Sequence, residues 1–227
     1  MITSRTKTDN KSNLISVRPS HLKAFLILFI SISLLVPSCG KEKSKDEKTI
    51  STKIAVTVYD GDTFTLSSGK KVRIAMIDTP EKGEPFCDEA TQYLSDLVLG
   101  KEVSLKPIGK GIDRYGRTLA EVYVDSANVS QLMLKAGLAV LYLFKDNAYL
   151  KDEYLQYQIY AYENKIGIWS LPEPVAEEYY INIKGSYRFH RPLCFHLKKV
   201  DISKIRRIAT RAEAIKQGLS PCRNCRP

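Results

Sequence analysis

The sequence predicts a small closed β-barrel with helices packed on it, followed by a compact metal-stabilised module and preceded by an export segment. Five short alternating or β-branched stretches are interrupted and followed by helical ones, with no repeated βαβ unit, which points to a barrel rather than an open parallel sheet. A tail sets one of its two histidines and its three cysteines in two close pairs, more than so short a segment needs unless a metal holds it together. Charge is partitioned as well. Residues 1–50 carry nine Lys/Arg against four Asp/Glu, residues 51–183 fourteen against nineteen, and residues 184–227 twelve against two.

With 227 residues, 44% of them hydrophobic and 26% charged, the chain has an ordinary globular balance. That excludes a disordered tail protein, a collagen-like chain and a multi-span membrane protein. Residues 24–36 read AFLILFISISLLV, an apolar run behind Arg18, His21 and Lys23. A membrane-crossing helix needs roughly 20 such residues. The shorter run therefore reads as a signal peptide over residues 1–38. Val36-Pro37-Ser38-Cys39-Gly40 resembles the lipobox of bacterial lipoproteins, which implies a lipid on Cys39 and a polar tether over residues 39–51. The alternative is an uncleaved N-terminal anchor. Either way the chain is expected outside the cytoplasm, as a membrane-anchored lipoprotein of the bacterial envelope or a secreted protein.

Strands are expected at Ile54–Tyr59, Thr63–Leu66 and Lys71–Ile77, the last two joined by the Ser67-Ser68-Gly69-Lys70 turn. Val72, Ile74 and Met76 share one face of the third strand, so Arg73 points to the other. Ala90, Leu94, Leu97 and Val98 form a helical stripe over Asp88–Leu99, stopped by Gly100. Glu102–Ile108 and Leu119–Val124 are the fourth and fifth strands. Val129, Leu132, Met133 and Ala136 mark a second helix closed by Gly137, and Leu150, Tyr154, Tyr157 and Ala161 a third.

Chemistry decorates the strand ends. Asp62 opens the second strand and Asp78 ends the third, so pairing through the hairpin brings both carboxylates to one end of the sheet. Two carboxylates with a carbonyl and waters make a hard oxygen site, suited to Ca²⁺ or Mg²⁺ rather than zinc. Arg73 and Arg117 offer planar donor forks that grip phosphate oxygens in pairs. An Asp-Gly-Asp alone is usually just a turn, and Asp-Thr-Pro-Glu alone a helix entry. Together they are the parts needed for attack on a phosphodiester.

Tyr59-Asp60-Gly61-Asp62-Thr63, Val72-Arg73-Ile74 followed by Ile77-Asp78-Thr79-Pro80-Glu81, Asp113-Arg114-Tyr115-Gly116-Arg117, Gly137-Leu138-Ala139 and Ile168-Trp169-Ser170 resemble the thermonuclease family. Residues 52–172 would then be an OB-fold, a five-stranded barrel with three helices. The resemblance implies a Ca²⁺-dependent endonuclease that cuts DNA and RNA and leaves 3′-phosphate ends. It also implies roles. Asp62 and Asp78 would hold Ca²⁺ through carboxylates and Thr79 through its main-chain carbonyl. Glu81 would position or deprotonate the water, and Arg73 and Arg117 would hold the scissile phosphate. Tyr115 would line the nucleotide pocket. Where the family's type member has a Tyr-x-Tyr pair at the pocket mouth, this chain has Tyr142-x-Phe144, which keeps a stacking ring but loses one hydroxyl. Cys87 reads as a small semi-buried loop residue.

After a linker over residues 173–184, Thr210-Arg211-Ala212-Glu213 is a capping box for a helix to Gln217. His190-x₃-Cys194 and Cys222-x₂-Cys225 supply four ligands in two pairs, the arithmetic of a closed zinc site, with His196 as an alternative nitrogen ligand. A disulfide between two of the cysteines is the competing reading. Phe189-His190-Arg191-Pro192-Leu193-Cys194 and Pro221-Cys222-Arg223-Asn224-Cys225-Arg226-Pro227 resemble the metal-binding domain of the Ada DNA-alkylation repair proteins. Here His190 stands where those proteins have the methyl-accepting cysteine, so the resemblance implies structural Zn²⁺ and DNA docking by residues 185–227 rather than methyl transfer. Nothing indicates an oligomer, and a monomer is expected. The reading opposed to the enzyme is a non-catalytic nucleic-acid-binding lipoprotein. A repair protein, the third option, would meet its substrate in the wrong compartment.

Overall fold

The computed structural model describes residues 51–227, and side chains from Lys53 onward. The expected signal peptide, the Cys39 lipidation site and nearly all of the tether lie outside the described residues. No helix among those described is long and apolar enough to cross a membrane.

Five strands close a barrel: β1 (Ser51–Asp60), β2 (Thr63–Leu66), β3 (Lys71–Ile74), β5 (Glu102–Ile112) and β6 (Thr118–Val124). Between β3 and β5 lie β4 (Ile77–Asp78) and α1 (Cys87–Val98). The order is β3-β2-β1-β5-β6, and β3 pairs in parallel with β6, Arg73 opposite Leu119, to shut the ring. Alternation explains the inside. Phe64, Leu66, Val72, Ile74, Val103, Leu105, Ala120 and Val122 are all buried and share one core.

The third strand is shorter than its sequence pattern suggests. It stops at Ile74, and Met76 has φ 72°, a left-handed turn that redirects the chain into β4 while keeping Met76 buried. β4 then pairs with β8 (Val140–Leu141). Of the stripe expected on α1, Ala90, Leu94 and Val98 are buried and Leu97 is half-buried. Cys87 is the first residue of that helix, also buried, rather than a loop residue. After the short β7 (Ala127–Asn128), Asn128 caps α2 (Val129–Lys135) by accepting from the Gln131 N–H at 3.2 Å. The buried face of α2 is Val129, Ser130, Met133 and Leu134, and Leu132 is only half-buried.

A buried polar cluster ties the barrel to α3 (Lys151–Glu163). Glu121 on β6 accepts from the Tyr154 hydroxyl, from Tyr123 at 3.2 Å, and pairs with Lys106 at 3.1 Å, while Asn128 Nδ2 donates to Tyr154 at 2.6 Å.

The tail folds as β9 (Tyr180–Ile183), β10 (Arg188–His190), β11 (Ile205–Ile208), α4 (Arg211–Lys216) and β12 (Ser220–Pro221), in the sheet order β11-β9-β10-β12. β9 falls inside the stretch that composition marks as a linker, and it is the inner strand between β11 and β10. Thr210 caps α4 by accepting from the Glu213 N–H at 3.0 Å, and Glu213 accepts in return from the Ala209 N–H at 3.1 Å. This module does not stand apart. Tyr180, Phe189, Ile208, Ala214, Ile215 and Leu219 form one buried core with Ala161 of α3 and Trp169.

Candidate active site

A glycine seats Asp62. A Cβ on Gly61 would come within 2.8 Å of the Ala90 Cβ and 2.9 Å of the Thr79 side chain, so only bare backbone fits the turn between β1 and β2 under α1. The turn sets Asp62 beside Thr79, whose hydroxyl and N–H donate to Asp62 Oδ2 at 3.3 and 3.4 Å. The β4–β8 pair places Asp78 opposite Val140. From β3, one Arg73 nitrogen, Nη2, reaches both carboxylates, 2.9 Å from Asp62 Oδ2 and 3.3 Å from Asp78 Oδ1. The two aspartates therefore share a corner, but Asp78 reaches it from β4, held by β8, and not from the end of the third strand as the hairpin argument expected.

Burial pushes the Asp62 carboxyl up to about 6, because the penalty for a charge at this depth outweighs the pull of Arg73, and Asp60 and Asp78 push the same way. Arg117 is aimed by the turn before β6. Its Nε and Nη2 lie 2.8 and 2.7 Å from Asp113 Oδ2, and Asp113 Oδ1 accepts from the Tyr115 and Arg117 N–H groups. Partial burial acts to raise the Asp113 carboxyl, but those hydrogen bonds and the Arg117 charge together hold it below the usual range. Arg117 Nη1 also donates to Thr63 Oγ1 at 3.2 Å, and Thr63 donates on to Asp62 at 3.0 Å.

Asp62, Arg73, Asp78, Thr79, Asp113 and Arg117 line one cleft of about 630 Å³ together with Glu81, Tyr115, Tyr142 and Phe144. Tyr115 is 67% exposed at the rim, with the Arg114 and Arg117 guanidiniums 4.7 and 5.4 Å from its ring centre. Tyr142 and Phe144 stand 6.5 Å apart, and Arg188 of the C-terminal module stacks 4.8 Å from Tyr142. The Thr79 carbonyl faces a second cationic group from that module. Arg223 Nη2 donates to it at 2.9 Å, and the same guanidinium pairs with Asp78 and Glu81. The donors clustered at Asp62, Asp78 and the Thr79 carbonyl are all hard oxygens already drawing positive charge, which fits Ca²⁺ or Mg²⁺.

Arg223, Arg188, Asp113 and Thr63 carry no functional reading in the sequence. Asp113 and Thr63 lie in quoted motifs, so their aiming roles could have been sought there. No sequence signal links Arg223 to Asp78, 145 positions away.

The second cluster is equally compact. Ligand atoms of His190, Cys194, Cys222 and Cys225 all lie within 4.8 Å of one another, with His190 Nδ1 3.4 Å from Cys194 Sγ. Burial, then the nearby His196 and Arg188 charges, keep the His190 ring below its ordinary value, favouring the neutral ligand form. Burial pushes the Cys225 thiol up to about 12, although the Arg191 N–H donates to its sulfur at 3.3 Å, and a bound cation would reverse that shift. Three thiols and an imidazole in this array fit Zn²⁺. The exposed His196 is outside the group, and Cys87, Cys194, Cys222 and Cys225 are all free thiols.

A family model described as staphylococcal nuclease homologue matches residues 71–171, from β3 to the turn after α3, so Asp62 precedes the matched segment. A Haemophilus influenzae protein named "uncharacterized endonuclease" is 39% identical over 158 residues, covering 67% of this chain and 82% of its own. Endonuclease YncB of Bacillus subtilis is 34% identical over 142 residues, 58% of this chain and 67% of its own. A micrococcal nuclease of Shigella flexneri is 33% identical over 135 residues, 54% and 75% of the two chains. With the closed five-stranded barrel and the extent of these matches together, the chain belongs to the staphylococcal nuclease homologue family.

Proposed function

We propose that the chain is an exported, Ca²⁺-dependent nuclease that hydrolyses phosphodiester bonds of DNA and RNA and leaves 3′-phosphate ends. The observation that carries the reading is the single cleft in which Asp62, Arg73, Asp78, Glu81 and Arg117 meet. The names of the relatives support the same chemistry. Asp62, Asp78 and the Thr79 carbonyl hold Ca²⁺, which when bound neutralises charge on the phosphate and orients water. Arg73 and Arg117 turn their forks from carboxylates to phosphate oxygens, and Arg117 hydrogen-bonds the departing 5′-oxygen. Glu81, exposed at the cleft rim, takes the proton of the attacking water. Tyr115 and Tyr142 flank the nucleotide. The module over residues 185–227 holds structural Zn²⁺ through His190, Cys194, Cys222 and Cys225, and its twelve Lys/Arg against two Asp/Glu, counted from residue 184, supply docking charge that the barrel lacks. Cys39 anchors the mature chain to a membrane.

Plasmid DNA and RNA incubated in parallel with CaCl₂, MgCl₂ or chelator test the reading. Cleavage of both with CaCl₂ and none with chelator is expected. Glu81→Gln should lower turnover by at least about 10²-fold while DNA binding persists, the range general-base catalysis supplies. Intact nucleic acid that is nevertheless bound by the wild-type chain would favour the non-catalytic lipoprotein.

A further inference from the structure

One guanidinium from the C-terminal module occupies the groups on which the proposed cation seat depends. Arg223 Nε donates to Asp78 Oδ2 at 2.9 Å, and Nη2 lies 2.7 Å from Asp78 Oδ1, so both oxygens of that carboxylate are engaged. Nη2 also donates to the Thr79 carbonyl at 2.9 Å, and Nη1 pairs with Glu81 Oε1. Two of the three proposed cation ligands and the proposed base thus answer to a single side chain.

Its position is built in. Arg223 sits inside the Cys222-x₂-Cys225 turn, and the Cys222 N–H donates to the Phe189 carbonyl at 3.0 Å. β12 pairs in parallel with β10 immediately before that turn. Arg226 closes a second pair on the same active-site loop, 3.0 Å from Glu84. Arg191 secures the turn from behind, its Nε donating to the Cys225 carbonyl at 2.9 Å. A guanidinium delivered by so constrained a turn is not a stray surface charge.

We propose that Arg223 is a resident cation of the nuclease site, which holds Asp78, the Thr79 carbonyl and Glu81 until a divalent ion displaces it. The inference rests on the cation seat proposed above. Ca²⁺ would sit about 2.3–2.6 Å from oxygens whose lone pairs now accept from Arg223. Asp78 Oδ1 already faces Arg73 as well as Arg223, so a divalent charge added there with both guanidiniums in place is strongly repelled, and Arg223 is the more exposed of the two. Displacement is physically open, because the Arg223 side chain is 36% exposed and can swing into solvent. Divalent binding would then free Glu81 for the water at the same moment. Arg223 thereby sets how much cation the enzyme needs.

The test is calorimetric titration of the full-length chain with CaCl₂, without nucleic acid and at matched zinc content. Arg223→Ala should tighten Ca²⁺ binding by roughly tenfold, the scale of a lost competing charge-assisted hydrogen-bond set discounted for exposure. Arg223→Lys, which keeps the charge but loses the fork, should fall between. Affinity in Arg223→Ala equal to or weaker than wild type overturns the proposal. Asp78→Asn is the control. If it abolishes a tight wild-type signal that Arg223→Ala leaves unchanged, the displacement idea alone fails. Absence of binding in every chain overturns the cation seat along with it. In the unmutated protein the Arg223 Nε–H resonance should lose its hydrogen-bonded shift when CaCl₂ saturates, and an unmoved resonance at saturation is equally fatal.

Discussion

Replacing Asp62 by Asn keeps the shape of the side chain and removes its charge, which separates two effects acting in opposite directions. The carboxylate is needed where the cation would bind, yet its charge is costly at this depth. Asp62 binds its proton more tightly in the folded chain than in the unfolded one, rising from 3.8 to about 6. Stability therefore falls as pH climbs through that window, and the full cost is present above it. In divalent-free buffer at pH 8, Asp62→Asn should stabilise the chain by on the order of 1–3 kcal/mol, while the difference disappears below about pH 4. Thermal melts at the two pH values check this, and a variant less stable than wild type at pH 8 contradicts it. The same variant should lose cleavage. Of the residues in this corner, those lying in turn and strand-end motifs were readable as a group. The depth that shifts Asp62 was not, since burial comes from α1 packing over Gly61, and no local pattern encodes that.

At the level of elements, alternation and helical stripes located the barrel strands and α1 to α3 because each buries one face against a common core. They failed where the chain departs from period. The run Val72, Ile74, Met76 continues the alternation past the end of β3, but Met76 adopts φ 72° and the strand ends two residues earlier. β9 escaped because Tyr180, Ile181 and Asn182 are all buried in sequence, so no alternation marks them, and prolines and acids precede them. The Glu121–Tyr154 link between β6 and α3 was equally invisible, since a lone Glu on a strand ordinarily faces water. Tyr154→Phe should expose its strength. It strips a donor from a buried carboxylate and should cost about 1–3 kcal/mol in urea unfolding, with the cleft unchanged. A loss below about 0.5 kcal/mol would mean that Tyr123 and Lys106 suffice.

Over the whole molecule, the acidic barrel and the basic tail are neighbours rather than beads on a string. Trp169 and Ala161 face Phe189 and Ile215 across a common core, and Gln158 of α3 accepts from the Leu141 N–H at 2.6 Å while its amide reaches toward the Ile215 carbonyl at 3.5 Å. Removing the zinc proposed for the His190, Cys194, Cys222 and Cys225 cluster should therefore be felt throughout. Each kcal/mol corresponds to about 2–4 °C in a chain of this size, and a structural zinc site contributes several, so chelation should lower Tm by at least about 10 °C. Scanning calorimetry with zinc analysis of the same samples reads this, and an unshifted Tm after full zinc loss argues against a structural ion.

The segment between Trp169 and Tyr180 joins these two halves by the chain, yet it is not what holds them. Leu171 and Val175 lie open to solvent there, 39% and 84% exposed, within easy reach of a protease. A single cut in that segment would leave two fragments still joined by buried aromatic packing and by Lys216–Glu163 at 2.7 Å. The nicked protein should elute as one particle, separate only in denaturant, and keep working on its substrate as a non-covalent pair.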